Sequence, residues 1–177
     1  MKAFSMLVLL TAAAACQADV ESGPKAGEKV GEVKVTVVVG EKEGKEIDFA
    51  AERKDEPTVY LFVNAEKFGR PAFRFLKKLD EKIGDAADKA EVVAVWVGDA
   101  AKSKEYLERA KGSLKFGKTA LTVFDGVGPN GWGINADAHV TAVVVVKGKV
   151  VKSFAFVSLN EKDEEAVTAE LTKAIKK

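Results

Sequence analysis

The stretch that decides the fold is TVYLFVNAEKFGRPAFRFLKKLDEKI, residues 58–83. Its residues Val59 to Val63 form a continuous apolar run, which is typical of a strand covered on both faces of a parallel sheet. Apolar residues then recur every three or four positions, at Ala72, Phe75, Leu76, Leu79 and Ile83. This spacing predicts an amphipathic helix from about Pro71, where proline suits the first turn. A buried strand leading into a helix predicts the centre of an α/β domain.

Further strand and helix patterns lie on both sides of this stretch. Alternating valines at 33–39 and the short run at 46–49 predict an N-terminal β-hairpin. Further strands are predicted at 92–97, 120–124, 140–146 and 150–157. Helices are predicted through 106–110 and from about Asn160, where Ser158 and Glu161 have the spacing of a capping box. This order predicts an α/β fold with a central mixed β-sheet flanked by helices.

The N-terminal residues 1–16 have the features of a signal peptide. Lys2 precedes an apolar run that ends in small residues and is shorter than the roughly 20 residues of a membrane-spanning helix. The last four residues, Ala13-Ala14-Ala15-Cys16, resemble the lipobox of bacterial lipoproteins, although Ala13 stands where leucine is usual. The resemblance implies lipidation of Cys16 and a membrane-anchored lipoprotein of a bacterial cell envelope.

Two other processing routes stay open. Cleavage after Ala18 would remove Cys16 and release a periplasmic protein, whereas cleavage at Ala14 or Ala15 would leave a free thiol. The polar residues 17–32 contain glycine and proline without periodicity and predict a flexible tether. Residues 33–177 then form one domain of ordinary size.

The charge pattern excludes several classes of partner. The chain has 28 Lys and Arg against 27 Asp and Glu, and they alternate without a block of one sign. No nucleic-acid surface and no polybasic membrane patch is therefore predicted, so membrane contact is expected only through an N-terminal lipid anchor. With one cysteine, Cys16, the chain has no internal disulfide to stabilise it.

The order of elements is similar to that of the thioredoxin-like superfamily, in its redoxin and peroxiredoxin-like branch, over about residues 30–177. The resemblance is carried by 46–49 with 57–63, by Leu121-Thr122-Val123-Phe124-Asp125 with Trp132-Gly133-Ile134, and by 140–146 with Lys147-Gly148-Lys149-Val150. It implies a thioredoxin-like three-layer sandwich with an N-terminal β-hairpin. It also implies where the family's chemistry would lie.

That chemistry is missing from the sequence. The family's reactive cysteine would fall at Phe68 or Lys67, and its resolving cysteine at Arg70 or Pro71. Residues 135–140 also lack the proline that the family places before its penultimate strand. Thiol-disulfide exchange and peroxide reduction both require attack by sulfur. The sequence therefore predicts no catalytic residue of this type and no cofactor.

The former active-site groove supplies the candidate binding residues Phe68, Gly69 and Arg70, which the fold would bring near Ala138 and His139. Free N–H groups at a helix start, together with Arg70, could hold a small anion or a partner's carboxylate. The alternative is that Arg70 is solvated and Phe68 packs against the core. His139, the only histidine, has only Asp137 near it in sequence, too few ligands for a metal site.

Trp132 is a further candidate in the glycine-rich loop 126–133. This loop lacks the Lys-Ser/Thr ending of a phosphate-binding loop, so a surface loop anchored by Trp132 is the simpler interpretation. Phe73 and Tyr106 could form an exposed patch, but helix periodicity buries one or both.

Two functions from different classes remain. One is a redox-inactive binding or structural module that holds an unknown protein or peptide in the former groove. The alternative is an enzyme with non-thiol chemistry around His139 and Arg70, or a residual thiol-disulfide or peroxidase-related role that would need a free Cys16.

Overall fold

The computed structural model describes residues 20–176. Its elements in chain order are β1 (Lys34–Val39), β2 (Glu46–Asp48), α1 (Phe49–Arg53), β3 (Thr58–Asn64), a 3₁₀ turn (Ala65–Lys67), α2 (Arg70–Ala86), β4 (Glu91–Gly98), α3 (Ala100–Ala110), β5 (Thr119–Asp125), β6 (Val140–Val146), β7 (Lys149–Phe156) and α4 (Asp163–Ile175). The predicted signal peptide at 1–16 and the predicted lipidation site Cys16 lie outside the described residues. Within residues 20–176, no helix has both the length and the apolar character needed to cross a bilayer.

The seven strands form one mixed sheet in the order β2-β1-β5-β4-β3-β6-β7. β3, β4 and β5 are parallel, and β1 and β6 pair antiparallel with β5 and β3 on either side of them. The edge strands β2 and β7 pair antiparallel with β1 and β6. The helices α2 and α3 connect the parallel strands, so the carboxyl ends of β3, β4 and β5 lie at one edge. The predicted mixed sheet is confirmed.

One face of the sheet, the helical face, is covered by α2, α3 and α4. The apolar stripe predicted for α2 is buried there, and Phe75, Leu76, Leu79 and Ile83 are each 0% exposed. Alternate residues of β3 (Val59, Leu61 and Val63) point into the same core. The apolar residues at every second position of β3 thus pack in one core with the apolar stripe of α2.

The opposite face, here called the strap face, has little helical cover. The short helix α1, the loop 126–139 and residues 20–33 lie over it. Tyr60 and Phe62 of β3 point into this second core, where Trp132 is 1% exposed. Helices therefore flank both faces, but α1 is the only helix on this one among residues 20–176.

The expected tether is corrected over residues 20–32, here called the strap. The Gly27 amide donates to the Val150 carbonyl (2.8 Å), and the Val150 amide donates to the Glu28 carbonyl (2.9 Å). Ser22 is buried, with its Oγ 2.6 Å from Thr141 Oγ1. Polar composition suggested a solvated chain, but these groups pair with the edge strand β7 and with β6, whose exposed groups need partners.

Two local predictions also differ from the structure. α4 begins at Asp163 and has no side-chain cap, so Ser158 and Glu161 form no capping box; Asn160 instead exchanges hydrogen bonds with Asp163 and Lys162. Phe49 begins α1 rather than ending a strand. The reason is the carboxylate of Asp48, which accepts a hydrogen bond from the Ala50 amide (3.0 Å) and caps that helix.

Candidate functional site

A cleft of about 240 Å³ lies at the carboxyl ends of β3 and β4, on the strap face. We call it the strand-end cleft. Its lining residues are Phe62, Asn64, Glu66, Val97, Gly98, Gly126, Val127, Ile134, Asn135, Ala136, Ala138 and Thr141. Most of these side chains are apolar or absent. The cleft is therefore an apolar recess with a few polar groups at its rim.

Glycines at the ends of the parallel strands help to keep the cleft open. Gly98 ends β4 with φ +132°, and Gly126 follows β5 with φ +99°. The Gly126 amide donates to the Gly98 carbonyl (2.9 Å), which draws the two strand ends together. Both conformations favour glycine, and neither residue has a side chain to fill the recess.

One wall of the cleft is tied to the end of β3 by side-chain hydrogen bonds. Asn64 Nδ2 donates to the Ala136 carbonyl (3.0 Å). Lys67 Nζ donates to the carbonyls of Ala136 (2.9 Å) and Asp137 (3.0 Å). The resemblance places a reactive cysteine at position 67 or 68, and the structure has at 67 an ammonium group that joins two backbone segments.

The strap supports the same wall from its other side. Ser22 Oγ accepts a hydrogen bond from the Asn135 amide (2.9 Å) and lies 2.6 Å from Thr141 Oγ1. Asn135 Nδ2 donates to the Glu21 carbonyl (3.3 Å). Asn135 and Thr141 both line the cleft. The segment expected to be a tether thus positions part of the candidate site.

One carboxylate, that of Glu66, lines the cleft, and its side chain is exposed. Asp99 follows the lining residue Gly98 in sequence, but its carboxylate caps the start of α3. The Lys102 amide donates to Asp99 Oδ1 (3.0 Å), and this bond, strengthened by the Lys102 ammonium 3.1 Å from Oδ2, lowers the pKa of Asp99 from its ordinary value. Asp99 therefore stays charged well below neutral pH.

Phe68 lies on the helical face and does not line the cleft. Its half-buried ring packs edge-on against Trp96 (centroids 5.1 Å apart) and Tyr106 (6.0 Å). Gly69 is the N-cap of α2 and provides no side-chain cap. Arg70 is exposed, and its guanidinium has no hydrogen-bond or ion-pair partner within residues 20–176. The segment has the arrangement of the alternative interpretation, in which Arg70 is solvated and Phe68 packs against the core.

His139 and Trp132 do not line the cleft either. The His139 carbonyl accepts from the Asn64 amide (3.0 Å) and its amide donates to the Phe156 carbonyl (2.7 Å), so its backbone completes the sheet. The Trp132 ring packs edge-on against Tyr60 (centroids 5.1 Å apart) and at a tilt against Phe62 (5.0 Å). Its Nε1 donates to the Glu32 carbonyl (3.1 Å). Trp132 is thus the predicted loop anchor, and it supports Phe62 in the cleft floor.

The five sequence-predicted residues are therefore not assembled into one site. Arg70 and His139, the basis of the enzyme alternative, are both absent from the cleft lining. No group of three or more possible metal ligands occurs among the described residues. The residues that sequence reasoning missed include Asn64, Glu66 and Asn135. The available signal was positional, because Gly98 and Gly126 mark the carboxyl ends of two parallel strands, where ligands of open α/β sheets bind.

Comparison with known proteins relates this geometry to a fold. The sequence matches no protein-family model and no curated protein. Many solved structures resemble it, among them the following three. The exposed lipoprotein thioredoxin of Streptococcus pneumoniae has a TM-score of 0.56 at 18% identity, with 81% of this chain and 99% of that chain covered. The thiol peroxidase of Chromobacterium violaceum has 0.59 at 11%, with 89% and 91% covered.

The third structure is the peroxidoxin BcpB of Mycobacterium tuberculosis, with a TM-score of 0.58 at 17% identity and coverage of 85% of this chain and 97% of that chain. The chain has a thioredoxin-like fold. The predicted resemblance and fold class are confirmed. Identity at this level concerns the fold alone.

Proposed function

We propose that this protein is an exported thioredoxin-like domain that binds a protein or peptide segment in the strand-end cleft without thiol chemistry. The observation that carries the proposal is the apolar recess at the carboxyl ends of β3 and β4. Its volume of about 240 Å³ lies below the roughly 300–1,000 Å³ of small-molecule sites. It suits one large apolar side chain inserted from a partner.

The absence of thiol chemistry follows from the residues at the start of α2. The only cysteine of the sequence is Cys16, in the leader. Lys67 holds two carbonyls and Phe68 packs against Trp96, so both positions serve the scaffold. Since disulfide exchange and peroxide reduction need a thiolate, the processed protein is expected neither to reduce insulin nor to consume hydrogen peroxide.

Export and lipid anchoring are the second part of the proposal. They are supported by the leader at 1–16 and by the resemblance of Ala13-Ala14-Ala15-Cys16 to a lipobox. A structural neighbour with the same fold is an exposed lipoprotein. Because the strap is hydrogen-bonded to the domain from Glu21 onward, the chain from Cys16 to Glu21 can span at most about 18 Å. A lipidated protein would therefore hold its cleft close to the membrane.

Intact-mass spectrometry of the processed protein tests this part. A mature chain that begins at a diacylated Cys16 is the expected result. A chain that begins after Ala18 would contradict lipidation, and an unmodified Cys16 would reopen thiol chemistry.

Peptide display against the processed protein tests the binding site. Ala136 is exposed and lines the cleft, and its hydrogen bonds within residues 20–176 are made by its backbone carbonyl. Ala136→Trp should therefore fill the recess and leave the fold intact. The matched control is Ala101→Trp, at an exposed position of α3 outside the cleft lining. Selected peptides should bind the wild type and the control but lose at least about tenfold in affinity for Ala136→Trp. Equal binding to all three proteins would place the site elsewhere.

A further inference from the structure

We infer that a lysine-lined groove on the helical face is a second docking surface, whose occupant is an acidic polypeptide segment with an apolar residue. The groove has a volume of about 400 Å³ and lies between the carboxyl-terminal half of α4 and the turn that joins β6 to β7. We call it the lysine groove. Its lining residues are Val146, Lys147, Lys149, Val151, Glu170, Lys173 and Ala174. The inference does not rest on the proposed function, because the strand-end cleft shares none of these residues.

The charge of the groove is carried by side chains that line it. Lys147, Lys149 and Lys173 are all exposed lining residues, and Glu170 is the acidic residue among the lining residues. The Lys173 ammonium lies 3.7 Å from Glu170 Oε1, so this carboxylate is engaged by one of the three lysines. Lys147 and Lys149 form no ion pair within residues 20–176. Two positive charges in the groove are therefore available to a partner.

A fourth lysine is paired with one of the lining lysines across the edge of the sheet. Lys29 of the strap and Lys149 of β7 are directly opposite partners in an antiparallel bridge. Backbone hydrogen bonds of 3.1 and 2.9 Å between the strap and β7 flank this pair on both sides. The pair is therefore of the non-hydrogen-bonded type, whose side chains approach each other most closely. Because like charges directly opposite destabilise a sheet, a bound anion would relieve a repulsion that the fold contains.

Two further carboxylates lie near these lysines but form no ion pair within residues 20–176. Asp55 lies beside the turn, where a Cβ added at Gly148 would be 3.9 Å from its Oδ1. Glu28 Oε2 accepts a hydrogen bond from the amide of Lys25, whose exposed side chain adds a positive charge to the strap. Lysines thus outnumber carboxylates around the groove. The charge pattern along the chain contains no such cluster, because its members come from the strap, the turn and α4.

The floor of the groove is apolar, and this feature selects among anionic occupants. Val146, Val151 and Ala174 are half-buried lining residues. A small inorganic anion would leave these side chains in contact with water, and the flat surface of a bilayer does not enter a groove between a helix and a turn. An acidic segment that carries an apolar side chain covers the floor and pairs with the lysines at the same time.

Two short synthetic peptides test the inference by fluorescence anisotropy with the processed protein. Both have a central leucine, which glutamates flank in one peptide and lysines in the other. We expect the glutamate peptide to bind at least about tenfold more tightly at about 0.05 M salt and to lose most of this advantage at about 0.5 M, where the screening length is a few ångströms.

The variant Lys149→Glu should change binding and stability in opposite directions. It replaces the like-charged pair with Lys29 by a pair of opposite charges, so the midpoint of thermal unfolding should rise. Affinity for the glutamate peptide should nevertheless fall at least about tenfold, because a lining cation becomes an anion. A loss of binding in a more stable protein cannot be caused by a failure to fold.

A second variant and a matched control complete the test. Lys147→Gln with Lys173→Gln removes the other two lining lysines from exposed positions and should lose at least about fivefold in affinity. Lys45→Glu makes the same charge change as Lys149→Glu at an exposed position directly before β2, at the opposite edge of the sheet. This control should bind the glutamate peptide like the wild type.

The possible outcomes separate this inference from the proposed function. A preference for the glutamate peptide that Lys149→Glu removes and Ala136→Trp leaves intact supports the inference. Equal binding of the two peptides, or wild-type affinity in both lysine variants, overturns it. Loss of glutamate-peptide binding in Ala136→Trp alone would place the peptide in the strand-end cleft and also overturn it. If the glutamate peptide does not bind but vesicles with phosphatidylglycerol bind more tightly than phosphatidylcholine vesicles, the lysines face a lipid surface and the polypeptide partner is wrong.

Discussion

The two faces of the sheet are covered in different ways. On the helical face, α2, α3 and α4 satisfy their backbone groups internally and present apolar stripes, such as Phe75 at 0% exposure. On the strap face, irregular segments find partners far away in sequence. The Gly23 amide donates to the Gly133 carbonyl (3.1 Å), and Trp132 Nε1 donates to the Glu32 carbonyl (3.1 Å). Both faces bury an apolar core, but three long helices cover one of them and mainly irregular segments cover the other.

This difference explains why the cleft lies on the strap face. A helix is a thick element whose side chains cover the strands beneath it, whereas loop segments leave gaps between them. The strap and the loop 126–139 meet above β3 without closing the ends of β3 and β4. The strap face therefore combines a buried core with an accessible recess at the strand ends.

The largest expected effect concerns the anchor of the strap face. Trp132→Ala removes a side chain that is 1% exposed and packs against Tyr60 and Phe62, so the free energy of unfolding should fall by about 3–5 kcal/mol in urea titrations. Phe75→Ala on the helical face should cost a similar amount. If Trp132→Ala lowered the free energy of unfolding by less than about 1 kcal/mol while Phe75→Ala lowered it by about 3–5 kcal/mol, the strap face would not contain a second stabilising core.

The next test asks whether the strap is part of the fold. Gly23 has φ +94°, and an added Cβ would lie 2.8 Å from Ser153 Cβ, whereas Gly27 has φ +88° and open space around it. Alanine at either position strains the backbone by about 1 kcal/mol, but the clash arises only at Gly23. Gly23→Ala should therefore lower the free energy of unfolding by about 2–4 kcal/mol and Gly27→Ala by about 1 kcal/mol. Equal costs would indicate that the strap does not pack on β7 as described.

Alkaline unfolding should distinguish the two faces by their titratable groups. On the strap face, burial raises the pKa of Tyr60 well above its ordinary value of 10.0. On the helical face, the carboxylate of Glu164 (0% exposed, 2.7 Å from Lys82 Nζ) raises the pKa of Lys82 above its ordinary value of 10.5. In both cases the folded state holds a proton that the unfolded chain loses first. Stability is therefore fully present below about pH 10 and falls as the pH rises further.

Urea titrations at about pH 9 and about pH 11 measure this fall. The titration of one proton can lower the free energy of unfolding by up to about 1.4 kcal/mol per pH unit. Tyr60→Phe should remove the part of the alkaline decline that comes from the Tyr60 hydroxyl. Lys82→Met should remove a smaller part, because its ammonium is half exposed. Tyr106→Phe, at an exposed position, is the control and should leave the alkaline decline unchanged. A decline that survives both Tyr60→Phe and Lys82→Met would contradict the assignment.

The two faces also differ in how far they follow from sequence. The run at 140–146 was predicted as a strand and is β6, and the stripe of α2 is buried as expected, because apolar runs and helical periodicity are local signals. Ser22 and Thr141 are 119 positions apart, and no local pattern in the polar strap indicates that pair. The lining of the cleft depends on the register between β3 and β4 and also on the conformation of the loop before β6. Its general location could be predicted from topology, but its lining could not.

The smallest expected effect concerns the join between α2 and the strap face. Lys67→Met removes two charge-assisted bonds from an exposed ammonium to the carbonyls of Ala136 and Asp137, so the global free energy of unfolding should fall by less than about 1 kcal/mol. Amide exchange at 136–138 should nevertheless accelerate by about threefold or more, because Asn64 would then hold this wall alone from the β3 side.

Lys77→Met, at an exposed position in α2, is the matched control for this local effect and should leave exchange at 136–138 unchanged. Exchange within β6 should stay the same in both variants, since its ladder to β3 does not involve Lys67. If Lys67→Met leaves the exchange at 136–138 unchanged, the ammonium is only a solvated surface group. The wall of the cleft would then be held by Asn64 and the strap, and the sequence at position 67 would carry no structural information about the site.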